Sequence, residues 1–256
     1  MTETVDITVD EVTGQVLEDV RHTVRVDTTA LLTALRAVLP HVGPEDSDVL
    51  HRVRVRVDDQ GGDMDVLAVN GYSLVVARVA GPDATTGRDG IVDNRGPGFT
   101  VDLNPGDVAN LIRLFKPGRD ELPVMRLDVH SDGRVTCTDV SGLFDGRALT
   151  VPSVGTPERF PDVYRVLANA MTAERGVVGL ASYTGRLLAA WARTAAVYDD
   201  GLILEPTAPN KPFVVTVGAQ CVGALMPRRH DDDPEHAQNV AGRGHWLGRC
   251  RTVVGE

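Results

Sequence analysis

Nucleophiles, metal ligands and phosphate cradles each need particular residue types at particular spacings, and most of them are missing from this chain. Cys221, His230, His236, His245 and Cys250 could supply a metal, but their spacing fits no standard zinc site. No two histidines share a helix face. The glycine-rich stretch GRDGIVDNRGPG lacks the lysine and the helix start that a phosphate loop requires. Serine, histidine and aspartate are plentiful but form no nucleophile elbow. A non-enzyme without cofactor or metal is therefore expected. One set of residues does suggest chemistry. Three amphipathic segments read as helices carry Arg36, Arg113, Arg186 and Arg193 off their apolar stripes, with Lys116 just beyond the second. None of the three bears Asp or Glu beyond its first turn. Such cations suit a phosphate backbone met without base reading. The alternative is that exposed helix faces carry arginine for solubility.

Composition sets the frame for those cations. The 256 residues carry a net charge of −10, which disfavours a uniformly basic nucleic-acid binder but allows an acidic exterior with a basic inner face. Arginine supplies almost all the positive charge, because Lys116 and Lys211 are the only lysines. Three cysteines are sparse and odd in number, which points to a reducing compartment. The opening MTETVDITVDEVTG has neither basic start nor apolar core, so no secretory leader is expected. No apolar run approaches a membrane span. Cytoplasmic location is the resulting expectation.

Elements that would position the cations recur in order. HTVRVD alternates as a strand, and Asp27, Thr28 and Thr29 offer caps to ALLTALRAVL, which Pro40 and Gly43 end. Val53, Val55 and Val57 alternate with Arg52, Arg54 and Arg56. After a GGDM turn, Asn70-Gly71 separates two further strands. Residues 81–98 read as a loop. GFTVDL, then Asn104-Pro105 and GDVANLIRLF, repeat strand and helix. Strands follow about Ser-Asp-Gly. GVVGLA, the helix SYTGRLLAAWARTAAVY with Ser182 as cap, and two more strands make a third pass. The internal period is about 60 to 70 residues. Helices alternating with antiparallel strands predict an α+β fold with helices on one face of the sheets.

The stretch RFPDVYRVLANA, 159–170, breaks this pattern. Pro161 cannot join a sheet interior, yet Phe160, Tyr164, Val166 and Leu167 are too apolar for a solvated loop. It reads as a connector packed onto something.

Several stretches together resemble the bacterial sliding clamp family, the β subunit of DNA polymerase III and its processivity factor, in a shortened form. VRVDTTALLTALRAVL resembles the first strand and helix of that family's middle domain. LAVNGYSLVVARV resembles its ATDGHRLA hairpin, RFPDVYRVL its FPDYxRVLP connector, and VGALMPRR its YVVMPMRL ending. The matches span about 22–229. The family has three domains of two units each; this chain shows three units. The expected organisation is an N-terminal arm or edge strand at 1–21, a complete clamp-like domain at 22–168, the second half of the last domain at 169–229, and a flexible tail at 230–256. Leu167 is followed by Ala168 where the family has proline.

The resemblance implies a DNA-clamp fold and a sliding, non-catalytic collar on duplex DNA. Arg36, Arg113, Lys116, Arg186 and Arg193 would line the hole. It also implies a groove for partner peptides, whose matching positions are Gly71, Tyr72, Ser73, Leu74, Pro161, Val166, Met226, Pro227 and Arg228. Ser73 replaces the family's turn arginine. The partners so implied are duplex DNA of any sequence, DNA polymerase and other proteins with clamp-binding peptides, a clamp loader, and further copies of the chain, with no membrane. The alternative function is a clamp-like peptide-binding module, an adaptor or inhibitor that forms no ring. An unrelated α+β enzyme is the third reading.

Overall fold

A computed structural model describes residues 20–58, 64–79, 91–95 (backbone alone), 97–116, 123–175, 181–207 and 211–228. In the C-terminal segment it describes 242, 245, 246 and 249–251, all helical. Residues 176–180 of the expected GVVGLA strand, residues 61–63 of the GGDM turn and most of the N-terminal arm and tail lie outside this description.

Unit 1 opens with β1 (Val20–Asp27), whose Val24 and Val26 turn inward. The Asp27 carboxylate accepts from the Ala30 amide at 2.7 Å and caps α1 (Thr28–Val38), as the sequence predicts. Leu31, Leu32, Leu35 and Val38 recur at helical spacing and are all buried, each burial contributing about 1.5–3 kcal/mol. Pro40 sits in the single 3-10 turn Leu39–His41 that ends the helix. Three strands follow: β2 (Val53–Val57), β3 (Met64–Val69) and β4 (Ser73–Arg78). Between the last two, Gly71 adopts φ +88° while the Asn70 side chain accepts from the Tyr72 and Ser73 amides.

Residues 81–98 are not all loop, since they contain β5 (Ile91–Arg95), which pairs antiparallel with β1. Unit 2 repeats the order with β6 (Phe99–Leu103), α2 (Pro105–Leu114), β7 (Val124–His130), β8 (Arg134–Asp139) and β9 (Ala148–Pro152). Asn104 caps α2, and Pro105 sits where no amide proton is needed. The connector then forms α3 (Val163–Thr172), capped by Asp162. Unit 3 comprises α4 (Gly185–Tyr198), β10 (Leu202–Glu205), β11 (Phe213–Val217) and β12 (Cys221–Leu225). Its helix starts later than expected. Thr184, not Ser182, is the N-cap, and its side chain makes no capping bond.

Two antiparallel sheets result, in the orders β5-β1-β7-β8-β9 and β10-β11-β12-β4-β3-β2-β6. Units 1 and 2 exchange their first strands, β1 joining β7 and β6 joining β2. Unit 3 joins unit 1 differently, last strand against last strand, with Cys221 opposite Ala77 through Leu225 opposite Ser73. Against the expectation of helices on one face alone, α3 packs on one face of the seven-stranded sheet, whereas α1, α2 and α4 cover the opposite side, with α1 packed against both α2 and α4. One core runs beneath them, from Val24 and Leu127 to Trp191 and Val215. No helix among the described residues is long and apolar enough to cross a membrane.

Candidate nucleic-acid and peptide-binding surfaces

The predicted cations all lie on the helical layer. Arg36 is half-buried in the last turn of α1, whereas Arg113, Lys116, Arg186 and Arg193 are exposed. Arg113 donates to Asn110 Oδ1 at 2.8 Å, which lays the guanidinium along α2. Arg186 and Arg193 stand two turns apart on α4 and line one groove of about 330 Å³ with Pro40, Val42, Pro44 and Asn70. Among the described residues none of the five forms an ion pair. Among those residues their charge is uncompensated, which suits contact with a solvated anion.

The opposite face of the seven-stranded sheet holds the connector. Here the alternating arginines of β2 have a use that the sequence does not disclose. Arg54 lies over the Phe160 ring, 3.7 Å from its centroid, and Arg56 over Tyr164 at 5.0 Å. Tyr164 donates its hydroxyl to Asp65 at 2.6 Å, and burial together with this carboxylate pushes the phenol's pKa up. Below them Val163, Val166 and Leu167 pack on Leu67, Leu74, Val76 and Ala224, with Leu50 at one end. The connector therefore closes an apolar seam where unit 1 meets unit 3. A second groove, of about 410 Å³, opens between α3 and the sheet beside Val76, Leu167, Met171 and Val222.

The predicted groove residues divide on this geometry. Leu74 and Val166 share the seam. Tyr72 is exposed, and its carbonyl accepts from the Met226 amide at 2.8 Å, which fixes the Met226-Pro227 ending beside the Gly71 turn. The Arg228 amide donates to the Ser182 carbonyl at 2.8 Å. Pro161 is half-buried at the start of the connector. Ser73 does not belong with them. It is buried on the other side of the strand, because β4 alternates and its neighbour Leu74 takes the face toward the connector.

What Ser73 does instead is directional and complete. Trp191 Nε1 donates to Ser73 Oγ at 3.0 Å, and Ser73 lies 3.2 Å from His41 Nδ1. His41 Nε2 lies 3.0 Å from Thr194 Oγ1, which donates to the Ala37 carbonyl at 2.7 Å. Since Thr194 spends its one proton on Ala37, it must accept from His41. His41 is then protonated on Nε2 and accepts from Ser73 on Nδ1. Burial lowers the His41 pKa to about 3, so the ring is neutral. Nothing in the sequence pattern marks this quartet, for a lone histidine after a helix end has no periodicity.

The metal candidates do not converge among the described residues, where no group of three His, Cys, Asp or Glu could hold an ion. Cys221 is buried in β12 and Cys250 is exposed, while His230 and His236 lie outside the description. Burial pushes the Cys137 and Cys221 thiols up to about 12, so neither is a nucleophile at neutral pH.

No family model and no curated protein matches the chain by sequence. Solved structures do match it. The DNA polymerase sliding clamp of Pseudomonas aeruginosa aligns with a TM-score of 0.58 at 12% identity, over 87% of this chain and 70% of that one. The fold is that of the DNA polymerase sliding clamps. The C. crescentus β sliding clamp aligns at TM-score 0.54 and 17% identity, over 87% of this chain and 70% of its own. The Helicobacter pylori β clamp bound to a DNA ligase peptide aligns at 0.55 and 11%, over 86% and 69%. Identity this low leaves the clamp fold resting on the pattern of buried residues and turns rather than on shared side chains.

Proposed function

We propose that this protein is a non-catalytic, sliding-clamp-like processivity factor that holds duplex DNA against its helical layer without reading sequence. The observation carrying this reading is the arrangement of α1 between α2 and α4, with Arg36, Arg113, Lys116, Arg186 and Arg193 unpaired among the described residues. Long cations beside a phosphate surface, with water between, bind through counterion release and permit sliding. Partner replication proteins would be captured by an extended apolar peptide at the seam of Gly71, Tyr72, Leu74, Val166, Met226 and Pro227. The apolar seam with an exposed aromatic at its rim supports that second contact.

The test is retention on DNA. The protein, with whatever loader it requires, should stay on nicked circular DNA and leave linear DNA. The Arg113→Glu/Arg193→Glu double variant should lose retention while keeping its melting temperature. A wild-type protein that binds neither form at low salt would defeat the DNA reading. The second reading, a peptide-binding module without a ring, is favoured by the built seam and predicts a different split. A clamp-binding peptide should bind the wild type and the Arg113→Glu/Arg193→Glu variant alike, and fail on Leu74→Asp.

A further inference from the structure

The stretch from Ala237 to Gly255 reverses the charge of the whole chain. It carries Arg243, Arg249 and Arg251 and neither Asp nor Glu, in a protein of net charge −10. Its described residues are helical, and His245, Trp246, Arg249, Cys250 and Arg251 are all exposed. Positions 245, 246, 249 and 250 stand three and four apart, so they share one helix face.

An imidazole, an indole and a guanidinium gather on that face. The Arg249 guanidinium lies 5.7 Å from the Trp246 ring centroid, and the His245 ring meets the same indole edge-on at 6.4 Å. Trp246 nevertheless stays 62% exposed, so its neighbours orient the indole and leave much of its surface bare. Tryptophan is ordinarily well buried, as Trp191 is here. Among the described residues neither Arg249 nor Arg251 forms an ion pair. An aromatic plate beside unpaired guanidiniums supplies what a single-stranded nucleotide needs: a stacking surface for the base and cations for the phosphates. The bases of a duplex already stack on one another and cannot use the plate. A membrane surface would require a continuous apolar face. On this face the described neighbours of Trp246 are His245, Arg249 and Cys250, and none of them extends an apolar stripe.

We infer that this segment is a second nucleic-acid contact, an arm that takes single-stranded DNA by stacking a base on Trp246 and pairing phosphates with Arg249 and Arg251. The cations of the helical layer meet phosphates and leave the bases alone, whereas the arm engages only a base that has left its stack. The inference goes beyond the duplex-holding reading and does not rest on it.

Trp246 and the buried Trp191 are the only tryptophans, so added oligothymidylate should quench the emission of Trp246 alone. Trp246→Phe should abolish the quenching and keep most of the affinity, read as the anisotropy of a labelled oligomer. Trp246→Ala should weaken binding about 5- to 100-fold. Arg249→Gln/Arg251→Gln should make the slope of log K against log salt shallower by about 1.4. All of these side chains are exposed, so the melting temperature should not move. The Arg113→Glu/Arg193→Glu variant, which disables the helical layer, should be quenched like the wild type. Unchanged wild-type emission at low salt would overturn the proposal. Equal affinity of wild type and Trp246→Ala would overturn it too, and would leave the duplex reading intact. Emission that responds to phosphatidylglycerol vesicles and not to the oligomer would replace it with a membrane contact.

Discussion

Unit 1 exchanges a strand with unit 2 but only abuts unit 3, and the two junctions are sealed by opposite chemistry. At the exchanged junction Asp102 of β6 is fully buried opposite Arg54 of β2. Arg54 grips it at 2.7 and 2.9 Å, and Arg52 adds a third bond at 3.1 Å. Charge-assisted, partly bidentate bonds of this sort offset the desolvation of the carboxylate. At the abutting junction the buried hydrogen-bonding quartet beneath the sheet is neutral. Ser73, His41, Thr194 and Trp191 satisfy one another by neutral hydrogen bonds, and Gly223 brings β12 against both Leu74 and the Trp191 ring. The ionic junction depends on keeping both signs of charge present. The neutral one depends on shape and on a histidine staying uncharged.

The comparison breaks first at the ionic side. Asp102→Ala should cost about 3–5 kcal/mol, because two guanidiniums are left in a site built for a pair. Urea unfolding measures it, and a loss below about 1 kcal/mol would mean that water reaches Arg52 and Arg54. Next comes shape at the neutral side. The Cβ of Gly223→Ala would lie 2.1 Å from the Leu74 carbonyl oxygen and 2.5 Å from the Trp191 ring. Strand or ring must move, at a cost of about 3 kcal/mol, and tryptophan fluorescence should shift with it.

The smallest effect separates the junctions by pH. The folded pKa of His41 is depressed to about 3, against an ordinary value of 6.5. The unfolded chain therefore binds the extra proton first, and this contribution to stability is present above about pH 6.5 and lost as pH falls toward 3. Between pH 7 and pH 5 the wild type should lose about 2 kcal/mol from this group. His41→Gln should flatten that slope. An unchanged slope would place the titration elsewhere.

The helices were legible because their spacing and caps are local. Asp27, Asn104 and the apolar stripes of α1 and α2 stand where the pattern puts them. The clamp fold was legible too, through the Asn70-Gly71 turn and the Phe160-Pro161-Asp162 connector. The buried side on which Ser73 lies was not legible, because its match to a groove position says nothing of side, which β4 packing under α4 sets. β5 was missed because glycine, aspartate and threonine around it outweigh a five-residue strand.

Sequence by itself determined the long helices α1, α2 and α4, most of the strands and which of their faces are apolar, since those follow from side-chain period and chain stiffness, but not the short β5 or the connector helix α3. It also determined that three like units follow one another. Only the tertiary structure decided which strands are exchanged and which merely meet, because pairing between distant strands depends on edges that local pattern does not order. The same packing turned the β2 arginines into clasps for Asp102, Phe160 and Tyr164, made His41 neutral, and left β10 uncovered among the described strands.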